Sequence, residues 1–296
     1  MFGFGRPTGN VTVETTEKDG KKIVIEIKTK TIGNVAVNVY CPPNDKINPY
    51  CFPALMIHGM FGGGWYFHDW AMFLCRKGIK VYVIKDLHSV HNSTFNDYVN
   101  EASCLLVSLV EDKETVKFKP IIIGHSMGGL ITQKLAERYP HLVGGIVLVA
   151  SAPPKGISAM SWGVAKAMLK HFPALMFNLP LKIDKRSTFK LILNWLGDED
   201  RKEQIFQKFV PESSRVAKQL AFSQIPVDEK KVSCKRLVVA GIYDKLLPLA
   251  IQAMIAEKYD SDYLTFLKGH MLMLEDEGRD EIINKIYNWI EVNFIY

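Results

Sequence analysis

The segment Ile121-Ile122-Ile123-Gly124-His125-Ser126-Met127-Gly128-Gly129-Leu130 sets a serine between two glycines in the pattern G-x-S-x-G. A serine hydroxyl becomes a useful nucleophile only when a base takes its proton and a third group orients that base. The chemistry on offer is attack on an electrophilic carbon through a covalent intermediate. The pattern carries weight where a strand runs into it and a helix leaves it. Three isoleucines precede it and an amphipathic stretch, Leu130 to Ala136, follows. The glycines answer a steric demand. Ser126 must sit on a sharp, strained turn that lifts its hydroxyl above the sheet edge, where side chains at 124 and 128 would strike the neighbouring strand and helix. The N–H groups that open the following helix favour negative charge developing there.

The elements that must hold such a turn are legible as runs. Residues 11–40 alternate apolar and polar around the turn dipeptides Asp19-Gly20 and Gly33-Asn34, which predicts an antiparallel meander. From residue 53 the pattern changes. Ala54–Ile57, Val81–Ile84, Ile121–Ile123, Ile146–Val149 and Leu237–Ala240 are short continuous apolar runs of strands buried on both faces, with Tyr263–Leu267 as a last strand. Helices are expected near 67–77, 95–111, 127–138, 248–259 and 273–293. This βαβα series predicts a parallel sheet with helices on both faces. Residues 151–230 interrupt it: Met160, Val164 and Met168 recur at helical spacing, and Pro154, Pro173, Pro180, Pro211 and Pro226 divide the segment into short helices. The expected division is a core of 1–150 and 231–296 with a helical cap at 151–230.

With Ser126 on a strand–turn–helix and a helical insertion after the next strand, the chain resembles the α/β-hydrolase fold superfamily in its capped serine esterase/lipase branch. The resemblance implies a mostly parallel eight-stranded sheet and the chain order nucleophile, acid, histidine. Asp244 follows a buried strand through a Gly turn in Gly241-Ile242-Tyr243-Asp244, and His270 follows the last strand in Lys268-Gly269-His270. Both match the family pattern and complete a catalytic set Ser126, Asp244 and His270. His58-Gly59-Met60-Phe61-Gly62-Gly63-Gly64-Trp65 resembles the family's oxyanion loop, which implies the N–H groups of Met60 and Met127 as donors. His58 is expected to brace that loop, and His125 to pack. Phe61, Trp65, Trp162 and Met168 are the candidate substrate-binding side chains.

Composition excludes other classes. At 48% hydrophobic and 23% charged residues in 296, the chain is globular rather than disordered. Its net charge of +6 comes without the basic runs of a nucleic-acid binder. The five cysteines, Cys41, Cys51, Cys75, Cys104 and Cys234, have no C-x-x-C spacing, which argues against zinc and a disulfide framework and suits a reducing compartment. Cys75 and Cys104 read as core residues. No run approaches the roughly 18 apolar residues of a membrane span, so a cytoplasmic chain without stable membrane insertion is expected. Residues 151–230 carry 13 Lys and Arg against 8 Asp and Glu, an excess that scattered surface lysines explain more simply than a lipid partner. The chemistry needs no metal or organic cofactor. The expected function is hydrolysis of small-molecule carboxylic esters with a hydrophobic acyl or aromatic group. Lipase or monoacylglycerol-type and thioester hydrolysis would use the same three residues, and a low-turnover binding protein is the reading from another class. Oligomeric state has no signature here.

Overall fold

β-Branched runs flanked by turn residues become strands, and their alternate side chains divide between two cores. The structure, a computed structural model, describes residues 10–16, 22–43, 52–87, 92–111, 118–160 and 162–295. The strands are β1 Asn10–Thr16, β2 Lys22–Ile32, β3 Val35–Cys41, β4 Ala54–Ile57, β5 Val81–Asp86, β6 Ile121–His125, β7 Gly145–Val149, β8 Lys235–Gly241 and β9 Asp262–Phe266. The helices are α1 His68–Arg76, α2 Phe95–Glu111, α3 Met127–Arg138, α4 Trp162–Lys170, α5 Phe172–Met176, α6 Lys185–Leu191, α7 Glu199–Phe206, α8 Ser214–Ala221, α9 Leu249–Tyr259 and α10 Arg279–Phe294.

One sheet has the order β1-β2-β3-β5-β4-β6-β7-β8-β9. The first pairings, through β3 with β5, are antiparallel, and all from β5 to β9 are parallel. Nine strands are therefore seen among the described residues, against the eight expected. Three antiparallel strands open the sheet, and β1 covers the long outer edge of β2 along seven paired residues.

Period-2 alternation sends Met56, Val83, Ile123, Val147 and Val239 to one face, with α1 and α10. Ile57, Ile84, Ile122, Leu148 and Val238 face the other, with α2, α3 and α9. Cys75 is buried as expected, whereas Cys104 is exposed, because it lies on the outer face of amphipathic α2. The last helix starts at Arg279, later than expected, after a 3₁₀ turn at Leu272–Leu274 and Gly278 at φ 85°. The order reverses at β4, which has β5 on one side and β6 on the other. Ligands gather at such a switch point, outside the carboxyl ends of the strands.

Between β7 and β8 the chain leaves the sheet for α4 to α8. Asp184, Asp198 and Ser213 start α6, α7 and α8 by accepting hydrogen bonds from Ser187, Asp200 and Val216 N–H groups. Leu181 and Glu212 pair as a short antiparallel bridge. Among the described residues, no helix is long and apolar enough to cross a membrane.

Candidate active site

β6 ends at His125 and α3 begins at Met127, leaving Ser126 alone on the turn at φ 54° and ψ −119°. A non-glycine residue rarely takes this left-handed backbone, and its cost is met by surrounding bonds. Ser126 N–H donates to Val149 O at 3.0 Å, and Ser126 O accepts from Gly129 N at 3.0 Å and Ala152 N at 2.9 Å. The flanking glycines are steric necessities. A Cβ at Gly128 would lie 2.1 Å from Ile57 O on β4, and one at Gly124 would lie 2.3 Å from Gly128 O on the helix.

Asp244 sits in the turn after β8 and is buried. Its Oδ1 accepts from Leu246 N at 2.8 Å and Leu247 N at 2.9 Å. Its Oδ2 faces His270 Nδ1 at 2.7 Å. A carboxylate there accepts a hydrogen bond from Nδ1–H, which fixes the tautomer with Nε2 as the basic nitrogen. His270 and Ser126 share the wall of one cavity. No hydrogen bond joins the Ser126 hydroxyl to the imidazole among the described residues; such contacts in free enzymes are often long and tighten around substrate.

The loop after β4 carries Gly59, Met60 and Phe61 to the same cavity. His58 holds its base: Leu87 N–H donates to Nε2 at 3.3 Å, so Nδ1 carries the proton and donates to Gly59 O at 2.8 Å. Burial keeps this imidazole below its ordinary pKa and hence neutral. Tyr66 O–H donates to Met60 O at 3.3 Å. Met127 opens α3, where N–H groups lack intrahelical partners.

Phe61, at φ 64°, is gripped from the insertion. Val210 N donates to Phe61 O at 2.9 Å, and Phe61 N donates to Glu212 Oε2 at 3.4 Å. The other Glu212 oxygen accepts from Tyr98 O–H on α2 and from Ser213 N. Burial pushes the Glu212 carboxyl above its ordinary pKa, and these three donors pull it back. Sequence reading missed this residue. Nothing in the local pattern separates it from the other acids of the insertion, because its partners are 151 and 114 positions away.

His125 is buried beside His270, with ring centroids 4.7 Å apart. Its Nε2–H donates to His270 O at 3.1 Å, so it holds the histidine loop as well as packing. Burial, then the nearby His270, holds it well below an ordinary histidine pKa.

The cavity holds about 1170 Å³ of space, its open mouth included. Phe61 and Met168 line it, together with Leu175 and Leu191 of the insertion. Trp65 is not on its wall. In the 3₁₀ turn Gly64–Phe67 its ring packs on Tyr66, 4.5 Å between centroids, and on Phe209, and Tyr66 takes the cavity position instead. Trp162 opens α4, but its side chain lies outside the described residues. His171, Ser187 and Thr188 are the polar groups on the insertion's side of the cavity.

The family described as serine aminopeptidase, S33 (Hydrolase_4) matches residues 54–266, from the start of β4 to the end of β9. The chain belongs to this family. The S33 match spans every strand of the parallel sheet and places the protein in the α/β-hydrolase superfamily. It is 27% identical over 181 residues to a pimeloyl-acyl-carrier-protein methyl ester esterase of Shewanella woodyi, covering 57% of this chain and 70% of that one. It is 24% identical over 248 residues to salicylic acid-binding protein 2 of Nicotiana tabacum, covering 74% and 90%. Among solved structures, a thermophilic esterase from Thermogutta terrifontis has the same fold, with a TM-score of 0.62 at 17% identity over 97% of this chain and 99% of that one. A monoacylglycerol lipase of Paleococcus ferrophilus gives 0.60 at 21% identity, over 82% and 97%.

Proposed function

We propose that this S33-family member hydrolyses carboxylic esters through an acyl-enzyme, with Ser126 as nucleophile, His270 as base and Asp244 as its orienter. The observation that carries the reading is the 2.7 Å contact from Asp244 to His270 Nδ1 on the cavity wall that also holds Ser126. His270 Nε2 takes the Ser126 proton as Oγ attacks the ester carbon. The tetrahedral oxyanion falls to the N–H groups of Met60 and Met127, a preorganised pair of a kind worth several kcal/mol. His270 returns the proton to the departing alcohol, then activates the water that releases the acid. Residues 1–150 and 231–296 form the catalytic core and 151–230 the cap.

Ester rather than aminopeptide cleavage fits the wall chemistry. An aminopeptidase must neutralise a terminal ammonium, and among the described residues lining this cavity none carries a carboxylate. Apolar side chains dominate instead, which supports a hydrophobic acyl or aromatic group. The names of the similar proteins, a methyl ester esterase and a monoacylglycerol lipase, agree with an ester substrate. The four described cysteines are free thiols, which suits the cytoplasm as the proposed compartment.

A fluorophosphonate probe is expected to label the wild type at Ser126. Ser126→Ala should lose that label and at least about 10⁴-fold of p-nitrophenyl ester turnover. Full turnover by the variant would end the proposal.

A further inference from the structure

The first two helices of the insertion line the cavity on one side and on the opposite side expose large apolar residues beside lysines. On α4, Val164 and Met168, with His171 just beyond, line the cavity at spacings of four and three residues. Lys166, Leu169 and Lys170 are exposed. At 100° per residue this second set lies about 180° around the helix from the first. On α5, Leu175 faces the cavity while Phe172 and Met176 are exposed. Phe177 and Leu179 continue the outer surface. A wall one helix thick therefore separates the cavity from solvent. Its outer side carries five large apolar residues within positions 169–179, with Leu169 76% and Phe177 73% exposed. Apolar groups gathered so closely on a surface mark an interaction site.

The charge of the same segment says what the site meets. Residues 155–190 hold seven Lys and Arg and one acid, Asp184, whereas residues 191–230 hold six basic and seven acidic residues. Asp184 is engaged by Lys170 at 2.7 Å, and Lys185 pairs with Glu203 at 2.6 Å. Lys166, Lys182, Arg186 and Lys190 are exposed around the apolar stretch. An isologous pairing of two copies would set this basic rim against itself. A surface of apolar chains beneath negative headgroups matches both halves at once.

We infer that the outer face of α4 and α5 docks the protein reversibly on an anionic phospholipid surface, with Leu169, Phe172, Met176, Phe177 and Leu179 entering the headgroup boundary. The docked face is the reverse side of the cavity wall, so an apolar molecule leaving the bilayer has one helix layer to pass. Docking goes beyond ester hydrolysis and is read without turnover.

The test is co-sedimentation with vesicles of phosphatidylcholine alone and of phosphatidylcholine with an equal part of phosphatidylglycerol. The wild type is expected to favour the anionic vesicles, less so as salt is raised. The double variant Leu169→Ser/Phe177→Ser, and separately Lys166→Glu/Lys182→Glu, should each weaken that partition about tenfold or more. The unfolding temperature and turnover of a water-soluble short-chain ester should stay unchanged. Because the charge variant alters only exposed lysines, it carries the test even where the serine variant melts early. Wild type that stays in the supernatant with both vesicles would overturn the inference, as would partition that both variants leave intact. So would a dimer in sedimentation velocity that the serine pair dissolves without any vesicle binding.

Discussion

Glu212, outside the proposed reacting set, ties the loop beside Met60 to α2 and to the insertion. Its two oxygens hold Phe61 N–H on the loop beside Met60, Tyr98 O–H on α2 and its neighbour's N–H, and Val210 secures the Phe61 carbonyl. Glu212→Gln keeps the shape but turns one acceptor into a donor, so one of the N–H or O–H partners loses its bond. With the amide nitrogen turned toward Phe61 N–H, the Phe61 turn, already at positive φ, keeps only the Val210 bond. We expect kcat to fall about 10- to 100-fold with KM nearly constant, since a loop displaced by a fraction of an ångström misplaces the Met60 N–H in the transition state more than it disturbs ground-state binding. A Glu212→Ala variant should add a loss of thermal stability that the amide does not show. Steady-state kinetics on p-nitrophenyl butyrate beside a melting curve separates the two effects. Equal losses in kcat and stability in both variants would reduce Glu212 to a packing residue. At this scale the serine was legible because its constraint is local: two glycines that a β-carbon would drive into neighbouring backbone. Glu212 and the bracing role of His125 were not, because both depend on contacts across more than a hundred residues.

Among elements, continuous apolar runs gave β4 to β8 to within two residues at either end, because a strand buried on both faces leaves no polar alternation to misread. The strand count differed at the antiparallel edge, where exposed alternation resembles any hairpin. The entry to α10 also shifted, since Glu275, Asp276 and Glu277 break the apolar period before Gly278 turns the chain. That entry carries a titration. Glu275 is buried at the end of the 3₁₀ turn after His270, and burial pushes its carboxyl up to about 7 from an ordinary 4.5; Lys268 and Gly269 N–H oppose the shift and Asp276 adds to it. An acid whose pKa rises on folding makes the native state bind the extra proton. Its contribution to stability is whole below pH 4.5 and is lost as pH climbs through 7. Relative to Glu275→Gln, the wild type should lose on the order of 2–3 kcal/mol between pH 5 and 8, then level off. Urea unfolding of both proteins across that range measures it. Parallel curves would mean that the charge finds solvent or a partner in the folded state.

For the molecule as a whole, the question is what the two layers enclose together. The sheet's carboxyl edge supplies Ser126, His270 and the Met60 loop, and the insertion closes over them with Met168, Leu175 and Leu191. On the proposed reading, chemistry belongs to the layer whose elements are local and periodic, and specificity to a layer of short helices whose packing no period encodes. A cavity with such walls should reward each added methylene until it is filled. The ceiling is ~0.8 kcal/mol per buried CH₂, reduced by the rotamers the chain loses. Along p-nitrophenyl acetate, butyrate, hexanoate and octanoate we expect kcat/KM to rise by roughly 10²-fold in total. Met168→Trp, which fills the cavity from α4, should move the optimum to a shorter chain while leaving acetate hydrolysis unchanged. Acylglycerols and acyl thioesters of the preferred length share the acyl half of the site and differ only in the leaving group. Their ranking at fixed chain length reads out what the mouth of the cavity, rather than its depth, selects. A flat profile that Met168→Trp does not alter would mean that the acyl group lies elsewhere and that the insertion's apolar inner face is packing alone.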